Sequence, residues 1–181
     1  MKMNKRNYMV LVLLALIFMT PGITAYLYYR HPQWLGTTTT NKGELLQPAV
    51  LVPAMSSNNK WRLLLWSPGD CGVTCLNQLD KLARIRLALG RRLYGVEQWL
   101  ILADNTKALP ESLRNSFKEQ DIHFLRLSQE QRQSLAILKP EARVFIANPD
   151  NYLVLSYALT ASSQDIFHDL KQLLSTAEKS G

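Results

Sequence analysis

Cys71 and Cys75 are the chain's two cysteines, standing in Cys-Gly-Val-Thr-Cys just after the apolar run Trp61–Trp66 and the breaker Ser67-Pro68-Gly69-Asp70. Such a break between an apolar run and a helical pattern marks a strand handing over to a helix. Cysteines four apart at a helix N-terminus share one face, and the unpaired N–H groups and positive dipole end there stabilise a thiolate. The chemistry this predicts is dithiol–disulfide exchange or the binding of a soft metal ion. Cα atoms four apart on a helix are about 6 Å apart, inside the range that a disulfide bridges. In exchange, one sulfur attacks a partner's disulfide and the other resolves the mixed intermediate. Cys71, at the end of the loop, is expected to be the more exposed and to attack; Cys75, one turn inside, is expected to gain less from the dipole and to resolve. Asp70 is expected to raise the pKa of Cys71 by like-charge repulsion, which argues against a strongly oxidising pair. The alternative is a plain disulfide pinning the first helical turn, although so short a loop constrains the unfolded chain little.

The elements that must hold this pair follow from hydropathy patterning. Leu45–Val52, interrupted by Pro48, reads as an early strand or hairpin, and Trp61–Trp66 as a short buried strand. From about Gly72 to Leu89 apolar residues recur near helical spacing, and Gly90 is placed as a C-terminal stop. Strands are expected at Gln98–Ala103 and Ile122–Leu127, with a helix over Leu109–Glu119 between them that has Pro110 in its first turn. Ser128 caps a predicted helix running to about Leu138. Arg143–Ala147 and Tyr152–Ala158 form a hairpin around Asn148-Pro149-Asp150-Asn151, and Ser162 or Ser163 caps a last helix. This order of elements predicts an α/β domain with a mixed sheet, in which sites gather where strands end and helices begin.

The first thirty residues supply the compartment. Lys2, Lys5 and Arg6 precede an apolar stretch from Tyr8 to about Tyr29, long enough to cross a hydrocarbon core of roughly 30 Å, and Tyr26, Tyr28 and Tyr29 suit its interface. The expectation is an uncleaved transmembrane anchor at 1–30 with a cytoplasmic N-terminus; cleavage as a secretory signal lacks an Ala-x-Ala site. His31–Asn41, with four consecutive threonines, reads as a polar linker at 31–41, and residues 42–181 as one extracytoplasmic domain. In a cell with an inner membrane, that domain is expected on the periplasmic side. Four of the 21 basic residues lie at or before Arg30 and none of the 14 acidic ones do, which leaves a surplus of three beyond the anchor. Those charges are scattered and form no basic stripe with interleaved aromatics, so a lipid bilayer is an expected partner and nucleic acid is not. No serine or carboxylate pair stands with a usefully placed histidine, which argues against a hydrolytic site.

With the strand ending at Trp66 and its CxxxC turn, the strand Trp99–Ala103 followed by Asp104, and the stretch Val144-Phe145-Ile146-Ala147-Asn148-Pro149-Asp150-Asn151 leading to Tyr157, the chain resembles the Sco family. These are membrane-anchored, thioredoxin-like proteins that assist copper insertion into cytochrome c oxidase. The resemblance implies a thioredoxin-like mixed sheet flanked by helices, a catalytic or metal-binding role for Cys71 and Cys75, copper as a ligand, and oxidase subunits or another extracytoplasmic thiol protein as partners. The family's third copper ligand, a histidine, would fall near Lys139-Pro140, where there is none; Gly72 and Leu76 stand where the family has prolines after its cysteines. His31, His123 and His168 are expected in structural or surface roles, and Met55 in packing rather than as a soft ligand. Two thiolates without an imidazole suit Cu(I), not Cu(II). Beside this reading stand a general thiol–disulfide oxidoreductase and a non-catalytic interaction module.

Overall fold

A computed structural model of the protein describes residues 5–31, 40–52, 55, 58–135, 137, 138 and 140–180. Lys2, most of the expected linker at 32–39, Pro53, Ala54, Ser56 and Lys139 lie outside the described residues. The chain divides into two compact units, Met1–Thr40 and Asn41–Gly181.

The first unit contains helix α1, Lys5–Arg30. Its segment Tyr8–Arg30, 23 residues, is long and apolar enough to cross a membrane. The helix continues through Pro21, and the hydroxyls of Thr20 and Thr24 donate to the carbonyl oxygens of Leu16 and Thr20, four residues back. Such internal bonds satisfy polar groups where no water is available.

In the second unit a six-stranded mixed sheet is built from β1 (Glu44–Leu51), β2 (Trp61–Ser67), β3 (Val96–Ala103), β4 (Ile122–Leu127), β5 (Arg143–Ala147) and β6 (Tyr152–Ala158), in the order β1-β6-β5-β2-β3-β4. Strands β2, β3 and β4 are parallel; β5, β6 and β1 add on antiparallel. Helices α2 (Val73–Ala88), α3 (Glu111–Glu119), α4 (Gln129–Ser134) and α5 (Ser163–Ser180) complete the fold, with a 3₁₀ turn at Gly90–Gly95. This is the mixed sheet flanked by helices that the sequence predicts.

Strand β2 is buried on both faces, which is why it reads as one apolar run rather than an alternation. Leu63 and Leu65 join Leu100, Leu102, Leu79 and Leu82 of α2, and Ile166 and Leu170 of α5 in one core layer. Leu64 and Trp66 point the other way, into a second layer with Ile101, Phe145, Val52, Met55, Leu135 and Leu138. Gly90, at φ +61°, provides the left-handed residue that ends α2, as its position in the sequence predicts.

Two elements differ from expectation. The early strand does not break at Pro48: β1 is an edge strand, and its pairing with β6 is irregular between Leu45 and Val50, where a residue without an N–H is tolerated. Helix α4 stops at Ser134 instead of reaching Leu138, because Leu135 N–H and Leu138 N–H bond three residues back, to Arg132 and Leu135. That tighter winding leaves Leu135 and Leu138 buried in the second layer.

Two buried polar clusters hold the sheet's surroundings. Arg62 is fully buried on β2; its Nη2 donates to Asn58 Oδ1 at 2.7 Å, and its Nε lies 3.6 Å from Glu97 Oε2 on β3. Burial pulls the Arg62 pKa down, and Glu97 opposes that pull. In the second cluster, Asp169 Oδ2 accepts from Lys42 N at 2.7 Å, Gly43 N at 2.8 Å and Tyr157 Oη at 2.8 Å, fixing the start of β1 against α5. A side chain at Gly43 would stand 2.5 Å from the Tyr157 ring.

Burial, and then the hydrogen bond to Asp169, push the Tyr157 hydroxyl far above the ordinary tyrosine value. An unfolded tyrosine ionises near pH 10 while the folded one stays neutral. This contribution to stability is therefore complete below about pH 10 and is lost as pH rises beyond it. Urea denaturation of the full chain in detergent should show a midpoint that falls between about pH 9.5 and 11, and a smaller fall in Tyr157→Phe.

Candidate redox site

Strand β2 delivers the chain to its carboxyl end at Ser67, whose Oγ donates to the Gly69 carbonyl at 3.0 Å to close the Ser67-Pro68-Gly69 turn. Asp70 follows. Its Oδ1 accepts from Lys107 N at 2.7 Å, and Lys107 Nζ lies 3.9 Å from Oδ2, which ties this loop to the one leaving β3. The Asp70 carbonyl accepts from Gly72 N at 2.9 Å, tightening the backbone around Cys71.

Cys71 and Cys75 are joined by a disulfide with Cα atoms 5.1 Å apart. The separation is shorter than two positions one turn apart in a helix, because α2 begins only at Val73, with Gly72 as its N-cap. The expectation that both cysteines share a helix face is thereby corrected: Cys71 lies in the loop ahead of the helix, and Cys75 in its first turn. Gly72 has no side chain to cap the helix, so the first N–H groups of α2 receive no capping side chain from that position. Cys71 is half-buried, whereas Cys75 is only 9 % exposed and belongs to the core layer of Leu79 and Leu82. A cavity of about 250 Å³ opens beside Cys75, lined among others by Leu65, Asp70, Val73, Thr74 and Ala142.

The other sequence candidates are elsewhere. His123 stacks on Trp99 with ring centroids 4.8 Å apart and lies 3.7 Å from Asp121. His168, on α5, faces Asp169 at 3.1 Å. His31 lies at the end of α1, in the first unit, its N–H donating to Leu27 O. Met55 is buried in the second core layer, across the sheet from Cys75. Among the described residues no group of three or more His, Cys, Asp or Glu side chains comes together as a metal cluster. The donor set at the site is therefore two sulfurs, which once reduced fit a soft, low-coordinate Cu(I) and not Cu(II).

Sequence reasoning missed Lys107 and Arg126. The Arg126 guanidinium braces the turn that offers the Lys107 amide, donating to Lys107 O at 2.6 Å and Thr106 O at 3.3 Å. The signal available for them was the parallel order of β2, β3 and β4, which places their ends together.

The difference in burial sets an order of reactivity. In the reduced full chain, iodoacetamide should alkylate Cys71 before Cys75, and Cys75→Ser should react faster than Cys71→Ser. The double serine variant should lose no more than about 2 kcal/mol of stability, since the loop closed is so short; a larger loss in urea denaturation would mark the bridge as mainly structural.

No curated protein matches the chain in sequence. Among solved structures, it is similar to copper-bound ScoI of Arabidopsis thaliana at 16 % identity and a TM-score of 0.53, over 66 % of this chain and 87 % of that one. It is also similar to copper-bound yeast Sco1 at 17 % identity and a TM-score of 0.46, over 65 % of this chain and 81 % of that one. A thiol:disulfide interchange protein from Bacteroides sp. matches at 12 % identity and a TM-score of 0.44, over 74 % of this chain and 90 % of that one. At these identities the Arabidopsis likeness carries the fold and no more, and the fold is thioredoxin-like. Residues 61–177, from the first residue of β2 into α5, match the family model described as the transmembrane-like, thioredoxin-like, C-terminal domain, and the chain belongs to that family.

Proposed function

We propose that this protein is a membrane-anchored, Sco-like thiol–disulfide exchange factor that works on cysteines of other extracytoplasmic proteins, with the copper-ligand cysteines of a respiratory oxidase as its target class. The observation that carries the reading is the bridged pair itself: a half-buried Cys71 at the carboxyl end of a central strand, joined to Cys75 in the first turn of α2. Residues 1–30 are the anchor, 31–41 the tether and 42–181 the working domain, which lies on the periplasmic side where a disulfide persists. Cys71 is the sulfur that partners meet, and Cys75 resolves.

A second reading, transfer of Cu(I) as cargo, has support of its own. Reduction frees two soft donors whose Cα atoms are 5.1 Å apart, and the Arabidopsis ScoI that shares the fold holds copper. In that reading both cysteines are metal ligands only while reduced, and a partner's donor completes the coordination.

One set of measurements tests both. The full chain in detergent is reduced and assayed for exchange with a peptide whose two cysteines form a disulfide and, separately, for Cu(I) by competition with a chromophoric chelator. Wild type is expected to exchange, Cys75→Ser to accumulate a mixed disulfide through Cys71, and Cys71→Ser to exchange at least about tenfold more slowly. Stoichiometric Cu(I) that both serine variants lose would add the second reading. A chain that neither exchanges nor binds Cu(I) would overturn both and leave a non-catalytic module.

A further inference from the structure

The disulfide is preceded by a carboxylate that the fold holds still. Asp70 is half exposed, yet its Oδ1 is fixed by the Lys107 amide at 2.7 Å, its own carbonyl is engaged by Gly72 N at 2.9 Å, and the turn that presents the amide is braced by Arg126 at 2.6 Å. Thr106 Oγ1 donates to Ala103 O at 2.7 Å and fixes the start of that turn at the end of β3. Consecutive Cα atoms are about 3.8 Å apart, so this charge lies within about one Debye length of Cys71 at 0.1 M salt, whichever way the side chain is turned. The counter-charge is much looser: Lys107 Nζ is 3.9 Å from Asp70 Oδ2 on a side chain that is 90 % exposed. Arg126, the other cation of this loop, is held on the Thr106 and Lys107 carbonyl oxygens, so the charged side chain next to Cys71 along the chain is the Asp70 carboxylate, within the range at which it acts on an incoming thiol.

We propose that Asp70 is the specificity-determining residue of this redox site, held by the Lys107 amide so that its charge disfavours anionic thiol partners and favours those carrying positive charge beside their cysteine. The inference rests on the reading of Cys71 as the exchanging sulfur. The step it acts on is balanced within the thiol reagents themselves. A reagent thiolate attacks Cys71 Sγ, the Cys71–Cys75 bond breaks, and Cys75 leaves as a thiolate that takes up a proton. A second reagent thiolate then attacks the reagent's sulfur in the mixed disulfide and releases Cys71, which is protonated in turn. Two reagent thiols are oxidised to one disulfide as the protein's disulfide is reduced to two thiols. Because every attacking species is a thiolate, the rest of the reagent's charge is what the field discriminates.

The test compares reduction of the full-length oxidised protein, in a neutral detergent at low ionic strength, by cysteamine, which carries an ammonium group, and by glutathione, which carries two carboxylates and one ammonium. The readout is the ratio of the two second-order rate constants in wild type, Asp70→Asn and Lys107→Gln. The Asp70→Asn side chain keeps an oxygen that can accept the Lys107 amide bond, and Lys107→Gln leaves that backbone amide in place, so each variant changes charge with the loop retained. Asp70→Asn should lower the cysteamine preference roughly twofold to fivefold, Lys107→Gln should raise it, and 0.5 M salt should bring the three ratios together. Equal ratios in all three proteins at low salt, with exchange intact, would overturn the selectivity alone. A wild-type disulfide that neither reagent reduces would overturn the exchange reading and this inference with it.

Discussion

Parallel pairing of β2 with β3, in register from Trp61 opposite Val96 to Ser67 opposite Leu102, brings both strands to their carboxyl ends at one level of the sheet. There the chain leaves each strand by a loop, and the two loops are close enough for Asp70 to accept the Lys107 amide. At the other end the same register sets Arg62 opposite Glu97, and Glu97 in turn accepts from Trp99 Nε1 at 3.0 Å and from Asn58 Nδ2. A one-residue slip would send Leu63 and Leu65 to the face now filled by Leu64 and Trp66 and leave a guanidinium buried without its carboxylate. The leucines thus fix which way the strand faces, and the ion pair penalises any other register. The cysteine loop inherits its position from both.

The pair of cysteines, the order of strands and helices and the mixed sheet were legible because each rests on local chemistry. Gly90 ends α2 for reasons of φ, and Ser162 caps α5 by accepting from Asp165 N–H. Arg62 was not legible: within Trp61-Arg62-Leu63-Leu64-Leu65-Trp66 a cation reads as the exposed member of a strand, and two of its partners, at 97 and 148, are distant in sequence. Asp169 was likewise hidden, since a carboxylate beside a histidine on an amphipathic helix looks solvated until the backbone of Lys42 and Gly43 is folded onto it. Lys107 and Arg126 belong to the same class. Their role depends on which strands are neighbours in the sheet; the alternation of strands and helices suggests parallel neighbours, but no spacing in the chain singles out these two side chains.

Helix α4 shows the opposite limit, where a local signal was correct but incomplete. Ser128 forms the predicted cap, with Gln131 closing a capping box, so the start was readable. The end was set by tertiary demand: Leu135 and Leu138 pack against the face of the sheet that carries Trp66 and Phe145, and the chain winds more tightly to deliver them. Apolar spacing of three suits an α-helix and a 3₁₀ turn equally well.

The start of α2 at Val73, between the two cysteines, sets the electrostatics of the pair. The expectation that Cys75 gains less from the dipole is corrected: Cys75 occupies the first turn, where N–H groups have no intrahelical acceptor and the dipole is positive, while Cys71 stands outside the helix next to a carboxylate. If a thiolate attacks the more exposed sulfur, the negative charge released by breaking the bond falls on Cys75, the position whose backbone best accommodates it. The reverse attack, on Cys75, would have to reach a residue only 9 % exposed and would release charge next to Asp70. Access and electrostatics therefore favour the same direction of attack, and the residue that separates the two sulfurs in kind is Gly72, the boundary between loop and helix.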